Sequence, residues 1–251
     1  MVKDVDYHHA RNELYAMTYK QIVRTSLEGP PTKDYTLVAD PEEEYRFTSL
    51  AVDWEHDVLY YTSGPILIIH RAHLNGSDQR IILRCCYIEK HLNKLLVDPC
   101  IGRLFWMTNN EVHSADLQGK NYKKNIFPKI SSVRNIALDV SQQKIYFLAT
   151  LSGDDSWFVM SSGYEGEGLK THVKSSRVTY GLGAQGMNVY WIPHEEESSV
   201  WEGNDVYRLR FILYSAFTEK NSTTQPLVVF SETVWNLRVY HLDLQKHCHS
   251  L

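Results

Sequence analysis

An apolar residue followed by an aromatic one, at the start of a short hydrophobic run, returns five times along this chain and limits the folds open to it. The pairs are Leu14-Tyr15, Leu59-Tyr60, Leu104-Phe105, Ile145-Tyr146 and Val189-Tyr190, with the aromatics 45, 45, 41 and 44 residues apart. Two other features keep step. Asp53, Asp98 and Asp139 each stand seven residues before the aromatic. Asp6 stands nine before Tyr15, which implies a two-residue insertion at His8-His9-Ala10-Arg11, and Gly183 takes the place before Tyr190. Downstream, a glycine follows the third run, as in Glu28-Gly29, Asn75-Gly76, Gln118-Gly119 and Glu165-Gly166. Three features in fixed order, at a period of about 40 to 45 residues, describe a repeated four-strand unit, and that is the period of β-propeller blades.

The unit is clearest from Phe47 to Leu83. One apolar strand ends in Val52-Asp53-Trp54, and a second runs from Val58 to Thr62. A third runs into Arg71-Ala72-His73-Leu74, Asn75-Gly76 turns the chain, and Arg80 to Leu83 forms a fourth. Short polar turns between such strands make an antiparallel meander. Equivalent strands are expected at 2–7, 12–17, 22–27 and 35–38, then at 94–98, 103–108 and 112–117. Further on they are expected at 135–140, 144–150 and 157–161, with residues 151–155 as an insertion, and at 178–184, 187–192 and 206–214. Pro30-Pro31 and the acidic run Asp40-Pro41-Glu42-Glu43-Glu44 read as solvated turn and connector, as does the polar stretch from His194 to Asn204.

Leu-Ala-Val-Asp-Trp at 50–54, Leu-Tyr-Tyr-Thr at 59–62 and Arg-Ala-His-Leu-Asn-Gly at 71–76 resemble the low-density lipoprotein receptor class B repeat, the YWTD repeat. The resemblance covers nearly the whole chain and is strongest over 45–148. It implies an all-β fold, a propeller of the six-bladed YWTD type, as in lipoprotein-receptor relatives and the ectodomains of Ros and Sevenless-type receptor kinases. The aspartate that ends the family motif is missing from every copy, for example Tyr60-Tyr61-Thr62-Ser63 and Phe105-Trp106-Met107-Thr108. The segment Val234 to His241 resembles the family's closing strand. The count is therefore about five blades, read as five four-strand sets, plus one closing strand. It describes a propeller over 1–245, incomplete or a fragment in preference to a five-bladed ring, and a frayed tail over 246–251.

The repeated residues read first as structure. Tyr60, Phe105, Tyr146 and Tyr190 fill the space between neighbouring blades; a large aromatic buries roughly 150 to 250 Å². Asp53, Asp98 and Asp139 recur at one place in each unit, which points to a turn or a backbone hydrogen bond rather than to a ring of catalytic or metal-binding carboxylates. His194-Glu195-Glu196-Glu197 has Ser198 where a zinc-protease motif has its second histidine. His247-Cys248-His249 has ligand types but sits in the expected tail. No metal, cofactor or catalytic residue is called. Twelve histidines raise an acid-triggered release, with no single histidine singled out.

Composition narrows the partners. The net charge of -4 disfavours nucleic acid, and no apolar run approaches the 18 residues of a membrane span. The charged start, Met1 to Asp6, reads as strand rather than secretory signal, so signal and membrane anchor are expected outside this chain. Four cysteines, Cys85, Cys86, Cys100 and Cys248, allow three pairings, and one of the adjacent pair could reach Cys100. Asn75-Gly76-Ser77 and Asn221-Ser222-Thr223 are glycosylation sequons, the first on a predicted turn. The expected function is an extracellular, cell-surface receptor module that binds protein ligands or orders adjacent modules through loops on a rigid scaffold, and is not an enzyme. The alternative, a calcium-dependent lactonase or esterase on the same architecture, needs Asp, Glu or Asn oxygens converging on the propeller axis.

Overall fold

In a computed structural model, residues 2–27, 35–39, 47–64, 66–87, 94–108, 111–151, 153–175, 179–185, 188–193, 211–216, 225–230 and 248 are described. They form antiparallel meanders in chain order. The first blade is β1 (Asp4–His8), β2 (Glu13–Met17), β3 (Gln21–Ser26) and β4 (Tyr35–Ala39). The second is β5 (Phe47–Asp53), β6 (Val58–Ser63), β7 (Ile66–His73) and β8 (Arg80–Tyr87). The third contains β9 (Lys94–Asp98), β10 (Arg103–Thr108) and β11 (Glu111–Asp116). The fourth is β12 (Ser132–Asp139), β13 (Lys144–Leu151), β14 (Asp154–Gly163) and β15 (Lys170–Ser175), and the fifth is β16 (Thr179–Gln185), β17 (Asn188–Pro193), β18 (Phe211–Ala216) and β19 (Gln225–Phe230). Residues 1–129 with 240–251 form one compact unit and residues 130–239 another. The fold is that of a β-propeller, built blade by blade.

The first turn of each blade explains the aspartate spacing. Asp53 Oδ1 accepts from the backbone N–H of Glu55 and His56, Asp98 Oδ1 from those of Cys100 and Ile101, and Asp139 Oδ1 from that of Gln142 and from the Ser141 hydroxyl. Each turn then passes through a left-handed residue, Asp57, Gly102 or Gln143, before the second strand starts. The first blade uses the same device without an aspartate. His8 lies opposite Glu13, as Asp53 lies opposite Val58, and His8 Nδ1 accepts from the N–H of Arg11 while Asn12 is left-handed. The expected insertion at 8–11 is therefore absent: His8 holds the position, and Asp6 lies opposite Tyr15. In the fifth blade the turn is two residues shorter, so Gln185, paired with Asn188, takes the place that spacing gave to Gly183.

The second recurring turn, between third and fourth strands, explains the glycines. The N–H of Gly76, Gly119 and Gly166 donates to the carbonyl of His73, Asp116 and Gly163 respectively, and all three glycines have positive φ. Gly76 lies against the Leu37 carbonyl on β4, where a Cβ would come within 2.5 Å, and Gly119 lies closer still to the Ile82 carbonyl on β8. In the second and third blades the turn thus rests on the last strand of the blade before it, and the absence of a side chain permits the approach.

Strands buried on both faces make the core. Leu50, Val52, Leu59 and Tyr61 pack towards Tyr15, Met17 and Ile22 of the first blade, while Ala51, Val58 and Tyr60 pack towards Leu95, Leu104 and Trp106 of the third. Both faces of the strand are used, which is why β6 is buried at every position and opens with four apolar and aromatic residues. Tyr60, Phe105 and Tyr146 are 1%, 0% and 3% exposed. Tyr146 packs with Leu182, Ala184 and Val189 across the seam between the fourth and fifth blades. Tyr190 lies on β17, opposite Gly183.

Three strand expectations need correction. Residues 151–155 are not an insertion: β13 reaches Leu151 and β14 begins at Asp154, with Gly153 left-handed in a tight hairpin. The third blade has three described strands rather than four; beside β11 runs an irregular segment, bonded at Ser114 and Lys123 and anchored by buried Ile126 and Phe127. Finally, β15 and β19 supply the fourth strands that the four-strand count required but to which the alternation gave no bounds. The expected closing strand Val234 to His241 lies outside the described residues.

Candidate functional site

Among the described residues, two gatherings of polar side chains within the first unit bear on function. One is the row of first strands. Asp4, Ser49 and Lys94 recur at the same register, opposite Met17, Thr62 and Met107, and all three are buried. The Ser49 hydroxyl donates to Asp4 Oδ2 at 2.6 Å, and the Leu50 N–H donates to the same oxygen at 3.0 Å. Ser49 Oγ in turn accepts from the Leu95 N–H at 2.9 Å, and Asp6 Oδ2 accepts from the Val52 N–H at 2.8 Å. These bonds stitch β1 to β5 and β5 to β9. Ser49 is fully buried, donating on one side and accepting on the other, so it has no access to a substrate.

The other place is a groove of about 400 Å³ beside β4, on the outer half of the second blade. Its floor is a ring stack: His70 lies parallel to Tyr61 at 4.7 Å between centroids, and Phe47 meets Tyr61 edge-on at 5.6 Å. Ser63 Oγ is 2.8 Å from His70 Nε2. Arg80, Ile81 and Arg84 form an exposed rim, and Gln79 is tied to the glycine turn through the Gly76 carbonyl. Burial, with Arg84 nearby, lowers His70 to about 4, and burial pushes Tyr61 up to about 12. At neutral pH the floor is therefore uncharged and aromatic, and the charge sits on the guanidinium groups above it.

The serine-histidine pair reads as architecture. Its counterpart one blade on is Thr108 Oγ1 with His113 Nε2 at 2.9 Å, where His113 stacks on Trp106 and is 1% exposed. Burial also lowers His113 to about 4. A pair that recurs where no substrate can enter is a way to satisfy a hydroxyl and an imidazole on neighbouring strands of one blade. An imidazole held near 4 is also a weak general base.

The expected aspartates are placed apart from this groove. Asp53 is fully buried and faces its own turn, with His56 Nδ1 at 2.9 Å; burial raises its carboxyl above the usual range in spite of the His56 bonds. Asp98 and Asp139 likewise turn into their own loops. Among the described residues no group of three or more His, Cys, Asp or Glu is arranged to hold a metal ion. His194 to Glu197, Asn221, His247 and His249 lie outside the described residues. Sequence reasoning missed the groove because its parts come from five strands; the signal within reach was the shared offset of Ser63 and Thr108 after the aromatic pairs.

The cysteines pair differently from one expectation. Cys100 is bonded to Cys248 across 148 residues, which rules out a bridge from Cys85 or Cys86 to Cys100. Cys85 is also in a disulfide. Cys248, placed in a frayed tail on sequence grounds, is tied covalently to the turn after β9.

No family model matches the chain. A 102-residue stretch is 31% identical to the proto-oncogene tyrosine-protein kinase ROS of Gallus gallus, covering 39% of this chain and 4% of that protein. Among solved structures, the nidogen/laminin complex, a YWTD-type propeller, aligns with a TM-score of 0.65 at 17% identity, over 91% of this chain and 81% of the other. A TolB-like protein from Agrobacterium tumefaciens aligns with a TM-score of 0.70 at 9% identity, over 92% and 82%. An oligogalacturonate lyase in complex with manganese aligns with a TM-score of 0.66 at 12% identity, over 88% and 63%. The likeness to YWTD-type propellers read from the repeats thus holds in the fold, and the fold is shared by enzymes and non-enzymes. Among the described residues no helix is long and apolar enough to cross a membrane.

Proposed function

We propose that the chain is a propeller module of an extracellular or cell-surface protein, of the YWTD type, and that it binds a protein partner through the rim of the second blade. The groove carries this reading: Arg80, Ile81 and Arg84 rim a stacked aromatic floor, an arrangement of arginine, aliphatic and aromatic groups that suits a protein contact. The Cys100–Cys248 bridge supports an oxidising compartment, where such bonds persist. The ROS match and the nidogen/laminin likeness favour the same setting.

The test is a binding screen of the secreted chain against a panel of displayed ectodomains, repeated with Arg80→Glu, Ile81→Glu and Arg84→Glu combined. The proposal expects a partner whose binding falls at least tenfold in the variant while the melting temperature is unchanged. A partner bound equally well by the variant, or none in the panel, sinks it. The lyase likeness keeps a metal-dependent enzyme as the rival. That reading predicts a rise in melting temperature on adding calcium or manganese, whereas a binding module melts unchanged.

A further inference from the structure

We infer that Asn75 carries an N-linked glycan, and that this glycan stands over the seam between the first two blades. The inference rests on the extracellular reading above. Asn75 is exposed at the tip of the β7–β8 turn. Its Oδ1 accepts from the Ser77 N–H at 2.9 Å and from the Ser77 hydroxyl at 2.6 Å, and its Nδ2 has no partner among the described residues. The acceptor nitrogen is thus presented to solvent, and the hydroxyl that the sequon requires is beside it.

The repeat shows that the turn does not need asparagine. Gln118 and Glu165 occupy the same position in turns with the same framework, where the N–H of Asp116 and Gly163 donates to the carbonyl of Lys120 and Glu167 as that of His73 donates to Ser77. The sequon is therefore not a by-product of turn geometry. In the transfer, Nδ2 forms a bond to the anomeric carbon of an oligosaccharide carried on a lipid pyrophosphate. The carbon–oxygen bond to the pyrophosphate breaks, the lipid pyrophosphate leaves, and Nδ2 gives up one proton.

Position gives the glycan a consequence. Gly76 presses on the Leu37 carbonyl of β4, so a glycan at Asn75 flanks the outer edge strand of the first blade. Unpaired edge strands invite pairing with other chains, and a bulky hydrophilic group beside one opposes it. Gln79 joins the same turn to the groove, so the sugar also limits the approach of partners from the β4 side.

The test is intact mass and glycopeptide mapping of the chain secreted from a eukaryotic host, with Asn75→Gln, Ser77→Ala and Ser77→Thr. Gln118 shows that glutamine is compatible with the turn, so Asn75→Gln should fold. The inference expects a glycan on the Asn75 peptide, removed by amidase to leave aspartate, lost in the first two variants and kept in the third. Secretion with the Cys100–Cys248 bridge formed but Asn75 bare overturns this inference and leaves the extracellular reading standing. Failure of wild-type secretion, or free thiols at 100 and 248, removes the extracellular reading and this inference with it. A glycan confined to Asn221 also overturns it.

Discussion

Gly76 and Gly102 differ in one respect that a substitution would expose. Both have positive φ, but a Cβ on Gly76 meets the Leu37 carbonyl at 2.5 Å, whereas on Gly102 the nearest atom is a Leu117 side-chain carbon at 3.8 Å. Gly102→Ala should cost about 1 kcal/mol for the backbone conformation alone. Gly76→Ala should cost about 2 to 4 kcal/mol, because the neighbouring blade must also yield. Denaturant unfolding of the two variants separates these terms. The buried imidazoles predict a pH dependence. His70 and His113 are held at about 4 in the folded chain against an ordinary value of 6.5, so the unfolded chain binds more protons between those values. Their contribution is complete above pH 6.5 and is lost as pH falls through 4. A melting series from pH 7 to 4 should show this decline, with a shallower slope for His113→Gln; an unchanged slope would mean that carboxylates alone set the acid limit.

Strands succeed here through their neighbours. The first and second strands of the second, third and fourth blades were legible because they are largely buried and are joined by an Asp-containing turn, a local signal repeated at fixed distance. The last strands, β15 and β19, were not, since β15 has exposed and half-buried residues in no strong alternation. The bonds between first strands were also invisible, because Asp4 and Ser49 are 45 residues apart and only the stacking of blades brings them together. Asp4→Ala would leave both the Ser49 hydroxyl and the Leu50 N–H without their acceptor, at an expected cost of about 2 to 3 kcal/mol. Thermal melting checks this, and loss of the same amount in Asp4→Asn would point to the charge rather than the acceptor.

For the molecule as a whole, the Cys100–Cys248 bond encloses all of residues 130–239. Closing a loop of that length is worth about 5 kcal/mol in the chain-entropy model. Cys100→Ser with Cys248→Ser should lower the unfolding free energy by up to that amount. A loss below about 1 kcal/mol would show that the unfolded chain is already compact. What the sequence by itself determined was the repeat: hydrophobic period, turn acceptors and glycines act within a few residues, so the meander and its propeller class follow from local chemistry. What only the tertiary structure decided was every relation between blades. His8 standing in for aspartate, the partner of Cys100, the groove of Tyr61, His70 and Arg84, and the carbonyl beneath Gly76 all depend on which distant residues the stacking makes adjacent, and sequence spacing carries no record of that.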